Sequence, residues 1–412
     1  MHWGAYRPQV VDGKLEAMVP AEWDPDPSPI GASIPDALTS PTRILRPAVR
    51  RSYLAEPGSH PELRGQEPFV EVSWEVALDL VAGQLKRVKA EHGNQAIFGG
   101  SYGWGSAGRF HHAQSQLHRF LNLFGGYVFS MDSYSLGAGR VLMPHIVGNM
   151  DWLLAAHTSW KNLARHCELF VAFGGLPAKN AQTSPGGASE HLLSRALDEM
   201  SGAGVQFVNV SPLRDDLTGP KNIQWLPVRP GSDTALMMAL AYVLVSEGLH
   251  NEDFVRRYTV GYETFRQYLL GHVDGQPKDP LWAQALTDIP EQQIIDLARR
   301  MASQRTLINV AYSLQRSVHG EQPFWMTVTL AALLGQIGLP GGGFGLGYGC
   351  MNNTGSGRKA FSGPRFSQGV NPVKAFIPVA RVTDMLLTPG APFDYNGKQL
   401  HYPDIRLVYW AG

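Results

Sequence analysis

Two short segments, GGSYGWGSAGR at residues 99–109 and DSYSLGAGR at residues 132–140, concentrate groups that can bind and orient a bulky ligand. Tyr102, Trp104 and Ser135 supply a phenol, an indole N–H and a hydroxyl. The surrounding glycines let backbone approach a ligand closely. Two familiar catalytic patterns are missing: the chain has no G-x-x-x-x-G-K-[ST] loop and no H-E-x-x-H helix. Gly103, Gly105 and Gly108 are too irregular for a dinucleotide fingerprint. His111 and His112 are neighbours, and adjacent helical side chains point about 100° apart, which does not suit one metal ion. The two cysteines, Cys167 and Cys350, are far apart and read as packed thiols, not as a disulfide or a cysteine-ligated cluster.

The elements that must position these groups are legible in the periodicity. Apolar residues from about Phe110 to Phe124 recur at helical spacing and stop at Gly125-Gly126, so one helix carries the chain back between the two polar segments. Upstream, Val70 to Trp74 reads as strand, Ser73 as a helix cap and Ala96 to Phe98 as a short strand. Apolar, β-rich runs at 169–173, 205–210, 307–310 and 405–409 each end in small or polar residues, and helical text such as 234–247 and 290–303 separates them. Alternation of this kind implies parallel sheet, with ligands beyond the carboxyl ends of the strands. Lys179, Asn180, Ser211, Arg214, Asp233, Gln315 and Arg316 fall on those exits or beside them. A helix over 321–338 runs into LPGGGFGLGYG, whose bare backbone suits wrapping a nucleotide or pterin or, more plainly, a linker.

Composition narrows the class. At 412 residues, with 35 basic and 35 acidic side chains, the chain has room for several cores and no bias toward nucleic acid or anionic membrane. Its apolar runs fall short of the roughly 20 residues a spanning helix needs. The start, MHWGAY, is not an export signal, which implies the cytoplasm, or the periplasm if an upstream signal has been lost. Residues 1–57 read as an irregular covering segment laid down by Trp3, Trp23, Ile30, Ile34 and Leu38. Residues 58–148 read as the first part of one α/β domain, 149–345 as a second, 346–412 as a return to the first, and 352–376 as a polar surface loop.

The blocks SYGWGSAGR, DSYSLGAGRVLMPHIVG, LQRSVHGEQPFWMTVTLAALLGQIGLPGGGFG and PDIRLVYWAG, with WDPDPSPIGASIPDALTSPTRI near the start, resemble the dimethyl sulfoxide, trimethylamine N-oxide and biotin sulfoxide reductase branch of the molybdopterin oxidoreductases. The resemblance covers nearly the whole chain. It implies a multi-domain α/β protein of parallel-sheet dinucleotide-binding domains, cut short before the C-terminal domain, since the family continues for several hundred residues. It also implies molybdenum held by bis-molybdopterin guanine dinucleotide, a small S-oxide or N-oxide substrate, an external electron donor and no iron–sulfur cluster in this chain.

Matched position by position, Ser135 stands where the family's serine ligates the metal. Tyr102 and Trp104 stand where side chains reach the reacting oxygen, Trp104 also against cofactor, and Arg316 matches an active-site arginine. Lys179, Asn180 and Gln182 correspond to contacts with one pterin. Ser211, Pro212, Arg214, Asp233, Gln315, Gly341, Gly342, Gly343, Trp410, Ala411 and Gly412 correspond to places where the cofactor lies. The plainer readings are a turn serine, core aromatics and a capping arginine. The rival functions are a non-catalytic, metal-free remnant, or a dehydrogenase running oxygen transfer in the opposite direction.

Overall fold

The run Leu169–Phe173 is apolar at every position, and its packing shows why. In the computed structural model, which describes residues 1–412 except Ser59, 102–109, His111, Ser189, 358–363 and Gly412, the run is a strand with both faces covered. Leu169, Val171 and Phe173 pack with Val208, Leu240 and Leu330, while Phe170 and Ala172 pack with Leu163, Leu197 and Phe207. Successive strand side chains point to opposite faces, so two covered faces demand an apolar residue at each step.

In chain order, the elements used below begin with α1 (Trp74–His92), β1 (Ile97–Gly100), α2 (Ala113–Phe124), β2 (Phe129–Met131) and α3 (Gly137–Val147). Next come α4 (Trp160–His166), β3 (Leu169–Phe173), α5 (Leu193–Gly202), β4 (Gln206–Val210) and β5 (Ile223–Leu226). The last are α6 (Asp233–Ser246), α7 (Glu291–Ser303), β6 (Thr306–Val310), α8 (Gln322–Leu333), β7 (Gly343–Leu346), β8 (Phe376–Pro378) and β9 (Leu407–Trp410). Ser73 caps α1 by accepting from the Val76 N–H at 3.3 Å. Gly125, at φ +120°, ends α2.

The chain forms two units. The first comprises residues 1–5, 20–28 and 132–363; the second comprises 6–19, 29–131 and 364–412. In the first unit β7, β6, β3, β4 and β5 lie side by side in that order, all parallel. Helices α6, α7 and α8 cover one face, and α4 and α5 the other. Helix α6 is apolar on nearly every side because the sheet, α7, α8 and the helix Pro280–Thr287 all pack on it. In the second unit β9 pairs parallel with β1, and β8 with β2.

Several sequence expectations shift. The unit boundaries fall at 131/132 and 363/364, not at 148/149 and 345/346, because α3 packs on α8. A Cβ on Gly139 would lie 3.1 Å from the Phe324 ring, and this closeness carries 132–148 into the first unit. Residues 1–57 are not one irregular segment. Tyr6–Val11 and Lys14–Pro20 form a two-stranded sheet about Asp12–Gly13, both at positive φ. Trp23, Ile30 and Leu38 are exposed, and polar groups hold the 20–28 strap instead. The 352–376 stretch opens with two buried residues, Asn352 and Thr354, and the Asn352 side chain bonds the Leu192 N–H and the Glu190 carbonyl. Helix α8 ends at Leu333, short of Gly338. Among the described residues no helix is long and apolar enough to cross a membrane.

Leu240 is fully buried at the centre of the larger core. Leu240→Ala is expected to cost about 2–5 kcal/mol, read as a lowered urea midpoint with an unchanged slope.

Candidate functional site

Because β6, β3, β4 and β5 run parallel and adjacent, the segments leaving them emerge at one end of the sheet. The chain begins at β3, steps to β4 and β5, then returns to β6 and β7 on the other side. The direction of winding therefore reverses between β3 and β6, which is where ligands gather in open α/β sheets. Gly174 leaves β3 at φ +82°, and a Cβ there would stand 2.7 Å from the Ala311 Cβ at the exit of β6. Only glycine allows the two exits to part so tightly.

Ser135 is bound to this point. It lies on the loop between Asp132, at φ +68°, and the start of α3. The Ser133 hydroxyl accepts from the Ser135 and Leu136 N–H groups at 3.2 and 3.3 Å, and the Ser133 carbonyl from Gly137 at 2.9 Å. From the β6 exit, Gln315 donates through Nε2 to the Tyr134 carbonyl at 2.7 Å and accepts from the Ala138 N–H at 2.8 Å. Arg316 Nε donates to the same Tyr134 carbonyl at 3.3 Å. The peptide before Ser135 is thus held by two side chains 180 residues away in sequence, give or take two. The Ser135 hydroxyl is half-buried and has no hydrogen-bond partner among the described residues. Arg316 is an exposed residue.

The other exits carry the remaining candidates. Beyond β3, Lys179 and Asn180 are exposed, and Gln182 is tied by Ser28 Oγ, which donates to its Oε1 at 3.2 Å, and by His191 Nε2 at its carbonyl, 2.9 Å away. Beyond β4, the Ser211 hydroxyl is already engaged: it donates to Asp216 Oδ2 at 2.6 Å and accepts from the Leu213 N–H at 3.2 Å. Its carbonyl accepts from Trp225 Nε1 at 2.9 Å. Ser211 therefore shapes the loop that presents Pro212 and Arg214, both exposed. Asp233 opens α6, is 4% exposed, and has an Oδ1 with no hydrogen-bond partner among the described residues. Burial pushes its carboxyl up to about 6, opposed only in part by its own backbone N–H.

Other candidates lie elsewhere. Gly341, Gly342 and Gly343 lead into β7, so they sit at the amino end of the parallel sheet, roughly 13 Å from the exits. Added Cβ atoms there would meet the His166 carbonyl carbon at 2.4 Å, Arg305 Cδ at 2.9 Å and Ile337 Cα at 3.3 Å, so chain packing by itself calls for small residues. Trp410 and Ala411 belong to the second unit, beside the end of β1: Ala411 donates to the Gly100 carbonyl at 3.0 Å, and the Trp410 ring occupies the space a Gly100 side chain would need. Tyr102, Trp104 and Gly412 lie outside the described residues. Tyr312 is a core residue, 4% exposed, and burial raises its phenol. Cys167 and Cys350 are free thiols, pushed by burial up to about 12 and about 11, so neither is a nucleophile at neutral pH.

A groove of about 1660 Å³ opens in the first unit beside Asp233, lined by Phe254, Tyr258, Trp325 and Met326 among others. Ser135, Gln315, Lys179 and Ser211 do not line it, and its mostly apolar helical walls offer little to a polar reaction centre. Size alone does not make it the reactive site. Sequence reasoning missed Ser133, Asp24 and His191. A serine four residues before a glycine-opened helix was a usable signal for the first; the pairing of the other two was not readable.

A family model described as molybdopterin oxidoreductase matches residues 43–412, and its N-terminal domain counterpart matches residues 2–38. The chain belongs to the molybdopterin oxidoreductase family. Among the curated members of that family it is 45% identical to biotin sulfoxide reductase of Cereibacter sphaeroides, over 95% of this chain and 53% of the relative. It is 41% identical to dimethyl sulfoxide/trimethylamine N-oxide reductase of Rhodobacter capsulatus, and 38% to trimethylamine-N-oxide reductase of Haemophilus influenzae, in both cases over 100% of this chain and 51% of the relative. The chain thus spans about half the length of the curated relatives it matches. Acetylene hydratase from Pelobacter acetylenicus shares the fold, with a TM-score of 0.51 at 20% identity over 81% of this chain and 42% of that one. Membership implies molybdenum with a molybdopterin cofactor.

The raised Asp233 carboxyl has a consequence for stability. A group whose pKa is higher folded than unfolded favours the fold below its unfolded value, near 4, and that advantage disappears as pH rises through about 6. Asp233→Asn is therefore expected to stabilise the chain at pH 7.5 by up to about 3 kcal/mol, with the gain shrinking between pH 6 and pH 4. Urea titrations across that range check it, and a difference independent of pH contradicts it.

Proposed function

We propose that this chain carries the metal-ligating part of a molybdenum-dependent reductase that removes an oxygen atom from a small S-oxide or N-oxide. The observation that carries the reading is the Ser135 hydroxyl. It is half-buried, free of any described partner, and mounted on a peptide that Gln315 and Arg316 hold at the reversal point of the sheet. Relatives named for biotin sulfoxide, dimethyl sulfoxide and trimethylamine N-oxide supply the substrate class.

The residues present suit the cofactor. A deprotonated Ser135 offers a hard oxygen donor, the ligand type that a high-valent metal prefers. The orphaned Asp233 Oδ1 is an acceptor awaiting a donor such as a guanine N–H, consistent with the guanine dinucleotide form. When bound, molybdenum supplies a two-electron couple and exchange of an oxygen atom.

The chain's own groups do the rest. Gln315 fixes the direction of Ser135 through Tyr134 and Ala138. Arg316 spends one N–H on Tyr134 and keeps its remaining donors for a substrate oxygen or a cofactor phosphate. Lys179, Asn180 and Gln182 face one pterin, and the 211–214 loop receives a dinucleotide with Pro212 and Arg214 outermost. For Tyr102 and Trp104 the reading rests on the family resemblance alone, which assigns them as donors that would lower the cost of charge on the transferred oxygen. An external donor returns two electrons.

In cofactor-loaded protein, Ser135→Ala is expected to lower oxide-dependent turnover at least a hundredfold and to change the metal's X-ray absorption signature. Gln315→Ala is expected to keep the metal and lose roughly tenfold, a loss of about 1.4 kcal/mol in transition-state stabilisation. Wild-type turnover and an unchanged metal signature in Ser135→Ala would remove the ligand assignment.

A further inference from the structure

Gln182, at the end of the short 3-10 turn Asn180–Gln182, is held from outside that turn. Its carbonyl accepts from His191 Nε2 at 2.9 Å, and its Oε1 accepts from Ser28 Oγ at 3.2 Å. His191 in turn meets Asp24 twice: its backbone N–H donates to Oδ1 at 2.9 Å, and its ring Nδ1 lies 2.7 Å from Oδ2. Asp24 and His191 are 167 positions apart in sequence and are 7% and 3% exposed.

This geometry fixes the proton count. A carbonyl and a carboxylate only accept, so each ring nitrogen of His191 must face its partner with a proton between them. Two protons serve three groups, one between the ring and each of its two acceptors. Asp24 Oδ1 also accepts from the His191 and Asp26 backbone N–H groups, at 2.9 and 3.4 Å, so the carboxylate acts as an acceptor on every side described. The ring is then an imidazolium. Were it neutral against a charged Asp24, the proton would stay on Nδ1, and the Nε2 lone pair would point at the Gln182 carbonyl and repel it.

We propose that His191 is a positioning residue for the loop over residues 179–182: as a buried imidazolium gripped by Asp24, it clamps that loop to the 20–28 strap and sets the direction in which Lys179, Asn180 and Gln182 face a bound pterin. The inference rests on the reading of that loop as a pterin contact. The same strap contributes a second tie beside the first, because Ser194 Oγ donates to Asp26 Oδ2 at 2.5 Å near the start of α5.

Two measurements on the 412-residue chain test the clamp without turnover. With ¹⁵N-labelled histidine, both His191 ring nitrogens are expected at imidazolium positions at pH 7. In Asp24→Asn the amide can accept from the His191 backbone N–H and donate to Nδ1, so the ring becomes neutral with its proton on Nε2 and the grip on Gln182 survives. Hydrogen exchange reads that grip. The Asn180, Ala181 and Ser184 amides donate to the carbonyls of Pro177, Ala178 and His2, so each reports release of the loop. His191→Ala is expected to speed their exchange at least tenfold while β6 is unaffected, and Asp24→Asn to stay within threefold of wild type. A neutral ring in the wild type, or exchange in His191→Ala within threefold of wild type, overturns the clamp. Should His191→Ala fail to fold, the ring signals of the wild type and of Asp24→Asn decide the question. Whether bound cofactor slows the same amides tests the pterin reading separately, and a negative result there leaves the clamp standing.

Discussion

Between β3 and β6, five backbone pairs from Thr306–Leu169 to Val310–Phe173 run in the same direction, and the arrangement of the first unit follows from that ladder. Parallel pairing sends both strands out of the sheet at the same end. The chain winds away from β3 on one side and away from β6 on the other, so neither connection covers the gap between their exits. Gly174 and Ala311 almost touch at the bottom of that gap. A side chain on residue 174 would force the exits apart, and with them the hydrogen bonds from Gln315 and Arg316 that reach across to the Ser135 loop.

Those bonds fix the backbone on either side of Ser135. Its own N–H is satisfied by Ser133, the preceding carbonyl by Gln315 and Arg316, and Ala138 by Gln315 again. The backbone around it has therefore little freedom left, while the hydroxyl has no described partner. A rigid frame around a free oxygen is what a ligating or reacting group requires, since positional error of even 1 Å at such a site is costly. A serine kept only for its turn would be expected to use its hydroxyl locally, as Ser133 and Ser211 both do.

The strands whose faces are both covered were legible as unbroken apolar runs, and the exits after 173, 210 and 310 could be named from them. The edge strands were not. β5, IQWL, carries a glutamine and an exposed tryptophan because it has a neighbour on one side only. β7, GFGL, reads as loop because two of its four residues are glycine, yet Gly345 is needed where a Cβ would lie 2.5 Å from the Tyr348 ring. Read as bare backbone in the sequence, Gly341 to Gly343 enter the sheet at the end opposite the exits. The unit boundary was misjudged for a related reason. Nothing local in DSYSLGAGR tells that the helix after it packs on α8, some 180 residues later. The polar hold on the 20–28 strap was equally hidden, because Asp24 and His191 have meaning only as a pair.

A folded chain pays for polar atoms it buries without partners, by roughly 1–3 kcal/mol each. Here Asn209 Oδ1, Ser184 Oγ and Asp233 Oδ1 are such atoms, and all three lie at or beyond the carboxyl ends of β3, β4 and β5. Gln304 Oε1 is orphaned at the opposite edge, so the property is not confined to one end. What distinguishes Asp233 is charge. A neutral amide oxygen left unpaired is a modest loss, whereas a carboxylate lifted to about 6 by burial opposes the fold throughout the neutral range. The sequence could shed that burden with a single change to asparagine. An aspartate in this position makes sense if the acceptor is matched by a donor that the polypeptide does not supply, and a bound base with adjacent N–H groups presents such a donor. The destabilised apo state and the stabilised bound state are then two sides of one interaction, with ligand binding contributing to the stability of the fold that receives it.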